Sequence, residues 1–240
     1  LHYPLRRQRQ MCIRDRKSRQ AMTADIAHEL RTPLSVQRAN LEALQDGIYP
    51  LTQENLAPII QQNRLLTKLV NDLRTLALAD AGALEMERVQ TDLTKLIARI
   101  CSDFEPAFAE AGIKLSFTPE AGIPLLNLDP ARINQVINNL LQNSLRHTPK
   151  GGRVEVKLDR EPGTTVIRIR DTGEGIPEEA LPLLFERFYR SDQARSRDTG
   201  GTGLGLTIAR QLVEAHHGSL TAANHPDGGA VFEIRLPAAA

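Results

Sequence analysis

Tryptophan is absent from this 240-residue chain, and tyrosine occurs only three times. A protein that stacks bases on aromatic side chains has little material here, which argues against nucleic acid as the main partner. Cysteine is almost as scarce. Cys12 and Cys101 are too few and too far apart for a disulfide framework or a thiolate metal site, and they fit a reducing compartment. No apolar run approaches the roughly 20 residues that cross a bilayer, so this stretch of chain reads as soluble. A strong net charge is also missing, the formal value being +1. The balance is uneven, however. Over residues 1–20, Arg6, Arg7, Arg9, Arg14, Arg16, Lys17 and, just past the head itself, Arg19 face Asp15 alone, so the remainder is acidic on balance. This basic head, residues 1–17, reads either as a juxtamembrane segment drawn to anionic lipid or as non-native sequence, since Met11-Cys12-Ile13-Arg14-Asp15-Arg16 resembles a translated sequencing-adapter remnant.

With 41% hydrophobic and 25% charged residues, the chain has an ordinary globular composition and enough length for two cored domains. Residues 20–46 carry a helical pattern that Gly47-Ile48-Tyr49-Pro50 interrupts. Thr52 begins a capped restart, and a second long helix runs to about Ala79. Its Ile59, Leu66 and Leu73 are seven apart, as are Leu69 and Leu76, which gives a narrow heptad seam. Two such helices bury little alone, so dimerisation into a four-helix bundle is expected, with a hairpin docked on the second domain as the alternative. After Asp80-Ala81-Gly82 the texture becomes mixed. A strand is expected over residues 84–89, helices over 92–111, 130–146, 178–185 and 204–216, and strands at 114–117, 125–128, 154–158, 166–170, 219–223 and 230–236. Helices with a mostly antiparallel sheet predict a two-layer α/β sandwich, and an α+β chain as a whole.

Within the first helix, Met22, Ile26, Leu30 and Leu34 recur every four residues as an apolar stripe. His28 lies two residues from both Ile26 and Leu30, on the opposite side, so its imidazole is expected to face water. Glu29 is beside it and Thr32 one turn on. Pro33 removes a helical hydrogen bond at a cost of roughly 3 kcal/mol, which predicts a kink close to the exposed imidazole.

Three patterns point toward a nucleotide. Asn139, Asn143, Arg146 and His147 share one polar face of a helix, where carboxamide oxygens can meet a hard cation and arginine a phosphate. Asp171-Thr172-Gly173-Glu174-Gly175 follows a strand, placing an acceptor beside glycines that let backbone approach a planar ligand. Gly201-Thr202-Gly203-Leu204-Gly205 opens a helix, where bare N–H groups and the helix field suit phosphate. Taken singly, the first two are equally a solvated face and an ordinary turn, while the third differs from a flexible linker in running straight into the amphipathic segment 206–213. Phe185-Glu186-Arg187-Phe188, between the last two, reads either as core aromatics or as a mobile lid with aromatic anchors and basic side chains that reach phosphate.

Together and in this order, over nearly all of residues 18–237, these segments resemble the sensor histidine kinases of two-component signalling. The phospho-acceptor box would be Asp25-Ile26-Ala27-His28-Glu29-Leu30-Arg31-Thr32-Pro33, with the asparagine, first glycine, phenylalanine and second glycine boxes following at the positions above. The resemblance implies a dimerisation and histidine-phosphotransfer hairpin at residues 18–82 and a Bergerat-fold ATP-binding domain at 83–240. It implies ATP and Mg²⁺ as cofactors, the metal held by Asn143 with help from Asn139. It further implies nucleotide contacts from Arg146, His147, Asp171, Gly173, Gly175, Arg187, Gly201, Thr202, Gly203, Leu204 and Gly205, and catalysis by His28, Glu29 and Thr32. The implied partners are a second copy of the chain and a response regulator receiver domain. The implied location is the cytoplasmic part of an inner-membrane sensor, attached through a sensor and transmembrane region not contained here. His147 stands where the family often has tyrosine, and Ser144 where alanine is usual. The rival readings are a Bergerat ATPase acting as a conformational clamp and a degenerate dimeric scaffold.

Overall fold

A computed structural model describes residues 26–189 and 202–238. The expectations for the basic head, Met22 and Gly201 lie outside the described residues. The chain divides into two compact units, Leu1–Leu73 and Arg74–Ala240. Among the described residues no helix is long and apolar enough to cross a membrane.

Helix α1 covers residues 26–45 and runs through Pro33. It ends where Gly47 takes φ +70° and the N–H groups of Ile48 and Tyr49 return to the Ala43 carbonyl. Thr52 then caps α2, Gln53–Asp80, its Oγ1 accepting from the Asn55 N–H at 3.3 Å. Of the α2 seam, Ile59, Leu69 and Leu76 are buried and Leu66 and Leu73 half-buried. The α1 stripe needs correction. Leu34 is 52% exposed while Pro33 is buried. Each step of four residues overshoots a turn by about 40°, so by Leu34 the stripe has rotated away from Ile26. The less exposed positions are Ile26, Glu29, Leu30, Pro33, Gln37, Asn40, Ala43 and Leu44, which follow a heptad spacing instead, with Glu29 and Ala43 flanking it.

The second unit is the expected two-layer sandwich. Strands β1 (Val89–Thr91) and β3 (Leu126–Leu128) form a small antiparallel pair. The main sheet has the order β2-β4-β5-β7-β6, from β2 (Lys114–Pro119), β4 (Arg153–Glu161), β5 (Thr164–Asp171), β6 (Ser219–Asn224) and β7 (Ala230–Pro237). Only β2 and β4 pair in parallel. Helices α3 (Leu93–Glu110), α4 (Pro130–His147) and α5 (Gly205–Ala215) form the other layer. The core lies between the layers, where Ile137, Leu140, Ile208 and Leu212 meet the sheet residues Val156, Ile167, Ile169 and Phe232, all at most 1% exposed. Each such side chain contributes about 1.5–3 kcal/mol by leaving water.

Two expected elements differ. The helix anticipated at 178–185 is a turn followed by a short 3₁₀ segment, Leu181–Leu183. Pro182 lacks the N–H a longer helix requires. The strand anticipated at 84–89 is only β1, starting at Val89.

One buried cluster sets the start of α4. Asp129 Oδ1 accepts from the N–H groups of Ala131 and Arg132 at 3.0 and 3.1 Å, and its other oxygen from the Glu87 N–H at 3.0 Å. The Asp129 N–H donates to Nε2 of His216 at 3.1 Å, and the His216 Nδ1 lies 2.7 Å from the Leu212 carbonyl. These partners require the neutral imidazole protonated on Nδ1. Burial lowers its pKa, outweighing the opposing bond to Leu212.

Candidate functional site

His28 is exposed on α1, as its helical position predicted, and among the described residues no hydrogen bond engages its imidazole. The Thr32 hydroxyl instead donates to the His28 backbone carbonyl at 3.4 Å. Glu29, half-buried, is about 100° further round the helix and is not bonded to the imidazole. The imidazole is therefore open to an incoming reactant.

In the second unit, α4 is built to show two faces. Ile133, Val136, Ile137, Leu140, Leu141 and Ser144 are buried, and the opposite side carries Asn139 and Asn143, both half-buried. Asn139 donates through Nδ2 to the Gly205 carbonyl at 3.0 Å, tying the first turn of α5 to this helix. That bond uses the amide nitrogen and leaves Oδ1 as an acceptor. Arg146 is exposed and His147 half-buried at the end of α4, where the His147 Nδ1 lies 3.4 Å from the Glu174 carboxylate.

Asp171 closes β5 at 2% exposure. Its Oδ1 accepts from the N–H groups of Gly173 at 2.9 Å and Ala230 at 3.1 Å. Among the described residues Oδ2 makes no hydrogen bond, so one oxygen is fixed by backbone and the other can meet a ligand. The next residues require glycine. A Cβ on Gly173 would lie 2.3 Å from the His147 carbonyl oxygen, and Gly175 has φ +77°.

On the opposite side, Gly203 has φ +67°, and a Cβ there would lie 2.8 Å from the Phe188 backbone. Phe188 donates its N–H to the Gly203 carbonyl at 3.1 Å and itself adopts φ +59°, a strained value for a side chain with Cβ. Thr202 and Leu204 are buried, Leu204 completely, so the latter packs rather than facing a ligand. The Thr207 hydroxyl donates to the Phe185 carbonyl at 2.9 Å, and the Arg210 guanidinium lies 5.6 Å from the Phe185 ring centroid. Arg187 pairs with Asp80 of the same unit, which also accepts from Gln211 at 3.1 Å.

The asparagine face, the Asp171 loop and the Gly203 turn are thus joined by direct contacts of His147 with Glu174, Asn139 with Gly205, and Phe188 with Gly203. Among the described residues no group of three or more His, Cys, Asp or Glu side chains could hold a metal alone. Neutral carboxamide oxygens fit a magnesium ion that shares its coordination with phosphate and water. The Ala230 N–H at Asp171 was missed in reading the sequence, because a turn rich in glycine gives no sign of what its backbone supports.

Residues 128–240 match the family described as histidine kinase-, DNA gyrase B-, and HSP90-like ATPase, and residues 18–82 match the His Kinase A (phospho-acceptor) domain. The chain belongs to the sensor histidine kinases and carries their catalytic portion. It is 41% identical to the signal transduction histidine-protein kinase BaeS of Escherichia coli K12 over 224 residues, which cover 93% of this chain and 48% of BaeS. The chain thus spans about half the length of that curated relative. The solved Acinetobacter baumannii histidine kinase AdeS superposes with a TM-score of 0.75 at 25% identity, over 88% of this chain and 97% of AdeS. The mycobacterial sensor histidine kinase MprB is 33% identical, with a TM-score of 0.54 over 63% of this chain and 97% of the MprB chain.

Proposed function

We propose that this chain is an ATP-dependent protein histidine kinase that phosphorylates itself on His28 and passes the phosphoryl group to an aspartate of a response regulator receiver domain. The observation that carries this reading is the open His28 imidazole, in a chain whose second unit joins the asparagine face, the Asp171 loop and the Gly203 turn at one place. The match to an ATPase family supports ATP as the nucleotide.

In this reading Asp171 Oδ2 accepts from the exocyclic amine of adenine while Gly173 and Gly175 let the loop approach the ring. Asn143, with Asn139 Oδ1, holds Mg²⁺, which supplies charge neutralisation at the phosphates when bound. Arg146 and the backbone N–H groups around Gly201, Thr202, Gly203 and Gly205 serve the phosphates, and His147 borders the base. Leu204 fixes that turn from the core. Arg187 reaches the nucleotide only on leaving Asp80. One imidazole nitrogen of His28 attacks the γ-phosphorus. The N–P bond forms as the bond to the β-phosphate oxygen breaks, ADP takes the electron pair, and Glu29 accepts the proton from the other ring nitrogen. Positioning and electrostatics carry most of the acceleration. An aspartate oxygen of the regulator then displaces the imidazole. In the opposing phosphatase activity Thr32, one turn from His28, orients the water that attacks the regulator's aspartyl phosphate, breaking its O–P bond and releasing inorganic phosphate.

The hairpin works as a homodimer. Leu34, Leu41, Ile60 and Val70 are each at least 48% exposed in the single chain, an apolar surface that a four-helix bundle would cover. We place the whole at the cytoplasmic side of a membrane sensor, as the family resemblance implies.

The test is incubation with γ-labelled ATP and Mg²⁺, beside Asn143→Ala. Label on the chain that Asn143→Ala abolishes supports a kinase. Release of free phosphate without label on the chain identifies a clamp-type ATPase and overturns the proposal, and neither label nor phosphate identifies a scaffold.

A further inference from the structure

The hairpin of β6 and β7 grips the loop 172–177 and its anchor Asp171 at three points. The Ala230 N–H orients Oδ1 of Asp171 at 3.1 Å. Gly229, at φ +83°, packs so closely that a Cβ would lie 2.0 Å from the Asp171 carbonyl oxygen. Asn224, the last residue of β6, turns its carboxamide onto the Ile176 backbone. Oδ1 accepts from the Ile176 N–H at 2.7 Å and Nδ2 donates to the Ile176 carbonyl at 2.7 Å. This two-point grip imitates the exchange of hydrogen bonds between antiparallel strands, and it supplies them to a loop that has no ladder of its own. The loop has been shaped to receive it, since a Cβ on Gly175 would come within 3.0 Å of Asn224 Oδ1. Asparagine is the shortest side chain that carries donor and acceptor side by side. Serine offers a single atom and alanine neither.

We propose that Asn224 is the positioning residue for base recognition. It touches no ligand. It acts through Ile176, holding the loop 172–177 at the distance from which Asp171 and the glycines read a purine edge. The inference rests on the reading of Asp171 as the adenine contact. The phosphate side of the site is held separately, by α4 and by the bond between Asn139 and Gly205. Loss of Asn224 therefore falls on discrimination between bases rather than on capture of the triphosphate.

The experiment titrates the full chain with ATP and, separately, with GTP in the presence of Mg²⁺, for the wild type, Asn224→Ala and Asn224→Ser, with thermal unfolding of each as a check on folding. The expected result is a wild-type preference for ATP that drops about tenfold in Asn224→Ala, with GTP affinity unchanged, because two hydrogen bonds that fix the reading loop are gone. Asn224→Ser keeps one acceptor, falls between the two, and serves alone if the alanine variant does not fold. An unchanged preference in a folded variant overturns the proposal. So does an equal loss for both nucleotides, which marks a purely structural residue. A wild type that binds neither nucleotide, or both alike, overturns the adenine reading of Asp171 itself and is distinguishable from failure at Asn224.

Discussion

The carbonyl oxygen of His147 occupies the place where a side chain on Gly173 would begin, 2.3 Å from an ideal Cβ. The end of α4 and the loop after β5 therefore meet closely here, with the His147 carbonyl against Gly173. Both atoms belong to backbone, so neither can swing aside. Gly173→Ala is expected to force the loop away from His147 and weaken ATP binding at least about tenfold, equivalent to 1.4 kcal/mol. Calorimetric titration of ATP into the variant and the wild type checks this, and equal affinities would disprove the contact's importance.

Ser144 is completely buried within α4, and among the described residues its hydroxyl has no hydrogen-bond partner. A buried, unpaired hydroxyl costs about 1–3 kcal/mol, and alanine is the better helix former. Ser144→Ala is expected to raise stability by about 1 kcal/mol without changing ATP affinity. A denaturant midpoint that moves down in the alanine variant would refute this.

The sheet face away from the helices carries an ion network. Arg168 donates to Asp159 at 2.8 Å, Glu161 at 2.9 Å and Glu233 at 2.7 Å, and Arg235 joins the last two. The bonds from Arg168 and Arg235 lower the Glu161 carboxyl, and at Glu233 they outweigh the opposing effect of burial. A carboxyl lowered in the folded state adds stability above its unfolded pKa of about 4.3 and loses it as pH falls through the folded value. The melting-temperature advantage of wild type over Arg168→Met is thus expected to be full near neutral pH and to shrink below about pH 4.3. An advantage that stays constant down to pH 3 would disprove it.

His216 gives the range just below neutral pH its own signature. Burial depresses its pKa, so the folded state prefers neutral imidazole while the unfolded chain protonates near pH 6.5. Its contribution is complete above about pH 6.5 and declines as pH falls toward the folded value. Unfolding midpoints measured from pH 7.5 to 5 are expected to fall, and His216→Gln to flatten that slope at a lower overall stability. Parallel slopes in the two proteins would assign the pH dependence elsewhere.

Local patterns carried most of the architecture. Alternation in residues 154–158 and 166–170 marked β4 and β5, the amphipathic run from Pro130 to Arg146 marked α4, and the spacing of Asn139 and Asn143 marked its polar face. Reading failed where a local pattern met a tertiary or backbone constraint. The stripe ending at Leu34 was extrapolated across a drift of 40° per step. The segment 178–185 had helical composition, but Pro182 left only a 3₁₀ turn. The Ala230 support of Asp171 was invisible because a backbone N–H of a distant hairpin supplies it, and a backbone group leaves no trace in residue type. Arg187 illustrates the same limit, for its partner Asp80 is 107 positions away.

The central claim is that His28 carries the phosphoryl group. The most direct test is to react the chain with γ-labelled ATP and Mg²⁺ and locate the label by tandem mass spectrometry at neutral to alkaline pH, beside His28→Ala. The account predicts an acid-labile, alkali-stable phosphoramidate on His28, and a His28→Ala protein that still binds ATP but takes no label. Label that survives acid, maps to another residue, or persists in His28→Ala would contradict it.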